Sequence, residues 1–536
     1  MRLLDPARRA APADLLLVPG IPTPNGPMHL GHVAGPFLRM DVLARFRRLC
    51  GDRTYLVSGT DAYESYVSLG AEQAGATPAE VATRYHREIA DDLASIDIVP
   101  DSFIDPLDAR WADRYERWHH HLLDGLRRRG CVVSRRERVP YGRTSGRHLA
   151  GAFLAGRCPE CGSPVAGTSC EECAAWFSAG TVLDPGPRLA AEEVEWREVA
   201  NLHLRLDAGP LARALARDRL AAGHRSTVER YLEREGHWWR LTQQAGWGVP
   251  APGAGSPPAV FWTYGLTILA YAALCGEEYG RLSGRHVNAH APDSGVTTVS
   301  AQGIDTLVPD MLTGAGLDLL RPELAPYDHH VFNRFLLLEG RKFSTSRRHA
   351  IWTRELTRLV DRDLVRYHLA RVSPGDRETD FRAGDFAATV NRGIVQDLQS
   401  RAVASWERLR EPAATLPDGR WLQGLDALLE RQRAGLEPAR LRLAEVAAAL
   451  DAWCAAPSGG GPGEAYWWLK GAVLVAWSLM PRWSLAVWHA LGHAGEPALA
   501  AFWRTPPLAP RRPLPRFTPV DPGRVRRLAA APTGHA

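Results

Sequence analysis

The sequence predicts an α/β protein: a parallel sheet interrupted by a metal-binding insertion and followed by a helical region. Three observations carry that prediction. The apolar run Leu15 to Val18 leads into a Pro- and Gly-rich turn, Pro22 to Gly26, and then into His29-Leu30-Gly31-His32 at a helix start. Such a strand, turn and helix N-terminus form a phosphate-binding edge of a parallel sheet, because glycine admits close backbone approach and imidazoles donate to phosphate oxygens. About three hundred residues later a second apolar stretch, Phe335 to Leu338, precedes Lys342-Phe343-Ser344-Thr345-Ser346. Between the two lie paired Cys-x-x-Cys hooks.

Taken in order, residues 1–115 read as strand–helix repeats, the first half of the sheet domain. After the histidine motif comes a strand, Thr54 to Val57, ending on Ser58-Gly59-Thr60-Asp61. A helix is expected near Pro78 to Ile96, where alanine, leucine and isoleucine recur at helical spacing. Gly35-Pro36 falls early in the helix after His32, where proline removes a hydrogen bond or forces a bulge. Residues 116–245 form the insertion, with its hooks at 158–173 and several Arg-rich amphipathic stretches. The sheet resumes over 246–350 and ends at the lysine loop; 351–385 is a junction and 386–504 is helical. The tail, 505–536, is rich in Pro and Arg and reads as an extended, partly ordered wrap or a disordered end. No internal repeat is present.

Composition bounds the answer further. A chain of 536 residues has ample core for about two to four domains. Net charge is only +5, so a nucleic-acid footprint has to be local. Leu15 to Val18 is too short for a signal peptide and no apolar run spans a bilayer, which gives the expectation of a soluble, cytoplasmic protein without membrane partners. All but two of the 65 basic residues are arginine. Lysine is a compact, mobile cation suited to following a phosphate, and Lys342 stands in a serine-rich loop. Lys470, beside Trp468 and an apolar helical run, reads as a survivor of drift toward arginine.

Four of the eight cysteines form Cys158-Pro-Glu-Cys161 and, eight residues on, Cys170-Glu-Glu-Cys173. Four thiolates at that spacing fit one tetrahedral Zn²⁺ with no open position, hence a structural ion. Cys50, Cys131, Cys275 and Cys454 are scattered and read as buried apolar thiols. His119-His120-His121 reads as a solvated patch, since adjacent helical residues do not share a face. Arg127-Arg128-Arg129 and Arg135-Arg136 read as solvated faces by default.

In combination these motifs resemble the class I aminoacyl-tRNA synthetases, closest to the methionyl-tRNA synthetase family. His29 to His32 matches the HIGH motif, Lys342 to Ser346 the KMSKS motif, and Ser58 to Asp61 the family's Gly-Thr-Asp segment. The cysteine hooks, Trp247-Gly248-Val249-Pro250 and Asp385-Phe386 match as well, so the resemblance covers 13 to about 405. It implies a Rossmann-type parallel-sheet catalytic domain split by a zinc-knuckle insertion, then an α-helical bundle of anticodon-binding type. It implies an ATP-dependent, AMP-forming ligase that makes an aminoacyl adenylate and pyrophosphate. His29 and His32 are the implied catalytic histidines, and His29, Gly31, His32, Lys342, Ser344 and Ser346 the ATP-binding residues. Lys342 and the serines would hold departing pyrophosphate with Mg²⁺. Asp61 would pair with the substrate ammonium, with Ile21 and Trp262 beside it.

The chain departs from the family pattern at the substrate end. Thr23 replaces an aromatic, and Tyr264 to Leu269 lacks the family's proline and tyrosine. The family's Phe-His pair is absent near Gly303-Ile304-Asp305. Ala62-Tyr63-Glu64 follows Asp61 in place of small or acidic, His and Gly residues, and Gln243-Gln244 replaces an Arg-Asp pair. From His32 to Asp61 the chain is one residue longer than the family, as a local bulge would make it. Ser400 and Ala404 fall where the family reads the anticodon with Asn and Arg. The nine tryptophans between Trp406 and Trp503 read as bundle core.

Three functions follow. The first expectation is a ligase that activates an amino acid with ATP and passes it to a small-molecule acceptor without tRNA. The synthetase-like part of hydrazine synthetases in natural-product pathways is the family-level precedent, and it implies a separate cupin-type partner. The second is a methionine-tRNA ligase serving translation, and the third a non-catalytic tRNA-binding module.

Overall fold

The computed structural model describes residues 3–5, 7, 11–217, 222–252, 258–344, 349–409, 416–456, 461–510 and 512–530. Its central sheet has five strands in the order His329–Asn333, Val296–Gly303, Asp14–Pro19, Arg53–Gly59 and Ser102–Ile104. All neighbours are parallel, with Asp14 opposite Val296 on one side and Arg53 on the other. Strand Asp14–Pro19 is buried along its whole length, which is why its sequence is a continuous apolar run rather than an alternating one. Gly59 ends its strand where a Cβ would lie 2.3 Å from the Ile104 carbonyl oxygen, so only glycine fits. The strand ends at Pro19, Gly59 and Gly303 open on the same edge, where ligands bind parallel sheets.

The helix after His32 carries the expected defect. A π-helical segment, Val33–Phe37, contains Pro36, and Gly35 has ψ −113°, before regular helix resumes at Leu38–Cys50. A π-helical turn of this kind accommodates one more residue than an α-helical turn. Helix Pro78–Ala94 starts with Pro78 at its first position and a capping box between Thr77 and Glu80.

The insertion is built on a long antiparallel pair, Val132–Gly142 with Val194–Arg205. A small three-stranded sheet, Pro164–Ala166, Leu154–Arg157 and Leu183–Pro187, carries the cysteine hooks. Helix Ala112–Arg128 leads into the insertion and packs on helix Leu266–Ser283.

The C-terminal helices share one hydrophobic core with the sheet domain. Arg366 lies at the junction, wholly buried. Its guanidinium donates to the carbonyls of Ile96, Leu479 and Ser478 at 3.0 Å each and to the Asp41 carboxylate at 2.5 Å. Burial pushes the Asp41 carboxyl up, but Arg45 and Arg366 outweigh it and hold it below its usual range.

Trp453, Trp467, Trp468, Trp477, Trp483 and Trp488 are all buried, as a bundle core requires. The tail forms the ordered alternative over its described residues. The Arg512 carbonyl accepts from the Trp406 indole, Val520 exchanges two hydrogen bonds with Asn391, and a helix runs Pro522–Ala530. Lys470 proves to be more than a bystander. It is 0% exposed, and its ammonium sits 5.3–5.8 Å from the rings of Tyr466, Trp467, Trp488 and Phe502 and donates to the Arg504 carbonyl. Four aromatic faces replace the water it gives up, a cation–π cage that no spacing in the sequence announces. Among the described residues, no helix is long and apolar enough to cross a membrane.

Candidate active site

The histidine motif is tied at both ends. Met28 donates its N–H to Asp92 at 2.7 Å, and Asp92 is held by Arg354 at 2.5 Å. Leu30 donates to the Ile351 carbonyl at 3.1 Å, and Thr353 to that of Met28 at 3.0 Å. The segment after the lysine loop is thus laced to the motif by backbone hydrogen bonds. His29 and His32 stack with ring centroids 3.7 Å apart, and Phe343 lies on His29 at 4.8 Å. Gly31 keeps this stack tight, since a Cβ there would stand 3.0 Å from the His29 ring and 3.2 Å from Phe343 and would push both rings back by a few tenths of an ångström. Burial drives the His29 imidazole well below its ordinary value, with His32 adding to the effect, while the His32 side chain itself is exposed. His29 Nδ1 is buried without a partner.

Neutral burial of histidine has a measurable consequence. His119 and His290 are likewise held at about 4 by burial. The unfolded chain takes up these protons first, near pH 6.5, so stability is full above that value and falls as pH drops toward 4. His119 and His290 each cost about 2 kcal/mol of stability at about pH 5. Urea midpoints taken at pH 7.5, 6 and 5 should decline steeply; a flat profile would mean the rings are solvated.

Lys342 does not point into open solvent. Its ammonium donates to the Glu171 carbonyl at 2.8 Å and the Glu172 carboxylate at 3.2 Å, and lies 4.9 Å from the Phe335 ring. Ser344 exchanges two backbone hydrogen bonds with His349, each 2.9 Å, which closes the loop. Ser346 and Thr345 lie outside the described residues.

Asp61 sits at the end of strand Arg53–Gly59, its N–H bonded to the Pro22 carbonyl at 3.1 Å. It is buried, its Oδ1 has no partner, and burial together with Glu64 pushes its carboxyl well up. A buried carboxylate in that state has a place for a cation. Next to it, Thr60 bonds His86 at 2.8 Å, and Trp247 donates to the Ala62 carbonyl at 2.9 Å while packing on Tyr63 at 5.2 Å. Ile21 is half-buried against the same core cluster as Trp262. Trp262 packs among Trp239 at 5.1 Å, Tyr264 at 5.8 Å and Trp176 at 6.2 Å, with the Arg240 guanidinium 5.4 Å from its ring.

Sequence reasoning does not single out Phe343, Trp176, Tyr264, Glu171 or Glu172 for these contacts. Trp176 has one available signal, a lone tryptophan three residues past the last hook cysteine. One expectation is corrected: His119 is not part of a solvated patch. It is fully buried and bridges the Tyr115 carbonyl, 2.7 Å, and the Thr267 hydroxyl, 2.9 Å, since its helix face turns to the core. His120 is half-buried near Glu116, and His121 is exposed near Glu323. Cys131, Cys275 and Cys454 are buried and Cys50 half-buried.

The four hook thiols lie within 4.8 Å of one another, with pairs at 3.7 and 3.6 Å. A Zn–S bond of about 2.3 Å in a tetrahedron puts sulfurs about 3.8 Å apart, so the set fits zinc. Cys158, Cys161, Cys170 and Cys173 would hold it, and with four protein ligands the ion supplies cross-linking rather than a reactive position. Cys170→Ser should remove stoichiometric zinc and expose the amides of 154–187 to hydrogen exchange. Retention of the metal with unchanged protection would count against this site.

A helix start bearing two stacked histidines, a lysine loop laced to it and a buried carboxylate at the neighbouring strand end thus share one edge of the parallel sheet, the arrangement of an α/β ligand crevice. Known proteins make that specific. A family model described as tRNA synthetases class I (M) matches residues 15–403, and the chain belongs to that family. Similar proteins include the methionine–tRNA ligase of Roseiflexus castenholzii, 30% identical over 421 residues, which cover 74% of this chain and 68% of the relative. That of Rubrobacter xylanophilus is 27% identical over 406 residues, covering 72% and 69%. The solved Mycobacterium tuberculosis methionyl-tRNA synthetase in complex with methionyl-adenylate superposes with a TM-score of 0.70 at 18% identity, covering 94% of this chain and 100% of that one. The protein is an ATP-dependent ligase of the methionyl-tRNA synthetase type.

Proposed function

We propose that this chain condenses an amino acid with ATP, forming an aminoacyl adenylate, and passes the aminoacyl group to a small-molecule acceptor rather than to tRNA. The substrate carboxylate oxygen bonds to the α-phosphorus as the bridge to the β-phosphate breaks, and pyrophosphate leaves with Mg²⁺. The observation that carries the activation step is the stack of Phe343 on His29, which seats the lysine loop against the phosphate-facing helix start. His29 and His32 are donors to phosphate oxygens, with Gly31 giving the backbone room. Lys342 leaves Glu171 and Glu172 to follow the departing pyrophosphate, and Ser344 and Ser346 stand in its loop. Asp61 receives the α-ammonium, which fills the position its unpartnered Oδ1 leaves open, with Ile21 and Trp262 alongside.

Support for a small acceptor comes from helix Gln399–Arg408. Ser400 and Ala404 are exposed one turn apart on one face, and neither offers a charge or a stacking plane for single-stranded bases. A hydrazine-forming or other natural-product pathway with a separate cupin-type enzyme fits that acceptor class. The names of the curated relatives favour a second reading, in which methionine is charged onto tRNA. Amino-acid-dependent ATP–pyrophosphate exchange over all proteinogenic amino acids, paired with charging of total tRNA, separates the two. Exchange without charging supports the proposal, methionine exchange with charging replaces it by the second reading, and absence of all exchange overturns both.

A further inference from the structure

One short stretch of the insertion reaches both ends of the crevice. Glu171 and Glu172, inside the second hook, take the Lys342 ammonium at the phosphate end. Three residues past Cys173, Trp176 is 4% exposed and lies against the other end, its ring 4.6 Å from Tyr264, 6.2 Å from Trp262 and 6.1 Å from Trp239. Its indole N–H donates at 2.5 Å to the carbonyl of Asp305, just beyond the open end of strand Val296–Gly303. Its own carbonyl accepts from Arg234, whose guanidinium also pairs with Glu160 of the first hook at 2.5 Å. Tyr264, which Trp176 covers, lies within electrostatic reach of Glu64 and Asp61. The indole is therefore fixed through its ring, its N–H and its backbone at the strand-end edge that also holds Asp61.

We infer that Trp176 is a specificity-determining wall of the amino-acid pocket, carried in by the zinc hook and restricting activation to amino acids with compact side chains. Together with Trp239, Trp262 and Tyr264 it forms a contiguous aromatic cluster, ring centroids 4.6–6.2 Å from Trp176, against which a long side chain would abut. A surplus methylene against a rigid wall costs roughly 10- to 200-fold in discrimination. The inference rests on the proposed adenylate-forming reading, in which Asp61 and Trp262 mark the amino-acid end.

The test uses the full-length, zinc-loaded chain and its Trp176→Ala and Trp176→Phe variants. Each is assayed for exchange across an amino-acid panel and for binding of glycine, alanine, serine, methionine, leucine and phenylalanine by calorimetry. Trp176→Ala should shift the preference at least about tenfold from the small toward the large members, and Trp176→Phe should shift it part of the way. An unchanged rank order in variants that keep their zinc would make Trp176 ordinary core packing and overturn the inference. Should Trp176→Ala not fold, the Trp176→Phe comparison decides alone, in the same sense. Loss of exchange in the parent chain would instead sink the adenylate reading, and the binding panel still reports on the wall.

Discussion

Lys342→Ala should slow amino-acid-dependent ATP–pyrophosphate exchange by roughly 10²- to 10³-fold while leaving the fold and zinc content intact. The magnitude is that of removing one preorganised charge from a transition state, about 3–4 kcal/mol. The fold should tolerate the change because Lys342 is on a short edge strand, Arg341–Lys342, and its partners at Glu171 and Glu172 are a carbonyl and a surface carboxylate. Exposed pairs of this sort contribute about 0–1 kcal/mol to stability. Lys342→Arg should rescue poorly, since a planar fork cannot follow a moving pyrophosphate as a point charge does. Equal exchange rates for the parent and Lys342→Ala would remove the lysine loop from the chemistry.

The largest stability effect is expected at Arg366→Ala, at a cost of about 3–5 kcal/mol. Four acceptors lose their donor at once: the carbonyls of Ile96, Ser478 and Leu479, and the Asp41 carboxylate. Asp41 would retain Arg45 at 2.9 Å but would lose the cation that compensates its burial from the helical side. Arg366 draws together Ile96, in a turn of the sheet domain, and the turn that precedes helix Pro481–Ala490 of the bundle, so its loss should uncouple the two regions. Urea unfolding followed by tryptophan fluorescence, dominated by the buried bundle tryptophans, should then show a separate early transition. A single transition at the parent midpoint would refute the linkage.

Much of the sheet domain can be read from sequence because its signals are local. Leu15 to Val18, the turn to His29 and the Gly59-Thr60-Asp61 strand end each lie within a few residues, and Gly35-Pro36 locates the bulge. The hooks are equally legible, since spacing alone brings four thiols together. What stays hidden depends on distance along the chain. Phe343 meets His29, Trp176 meets Trp262 and Glu172 meets Lys342 only through tertiary packing, and no periodicity encodes such pairs. His119 misleads because two further histidines follow it on the same helix and lie nearer to solvent, while its own position turns inward. Lys470 misleads for a related reason, as its cage draws on residues from 466 to 504.

The fate of the two lysines also makes the protein unusual as a chemical object. One side-chain amine is sealed inside an aromatic cage, and the other is 29% exposed beside the histidine motif. An amine-directed ester or aldehyde therefore has a single accessible lysine to modify, and it stands at the crevice. A reporter dye coupled to Lys342 would sit beside the histidine motif without engineering, and protection of that amine by ATP would be visible in a peptide map that separates it from the α-amino group.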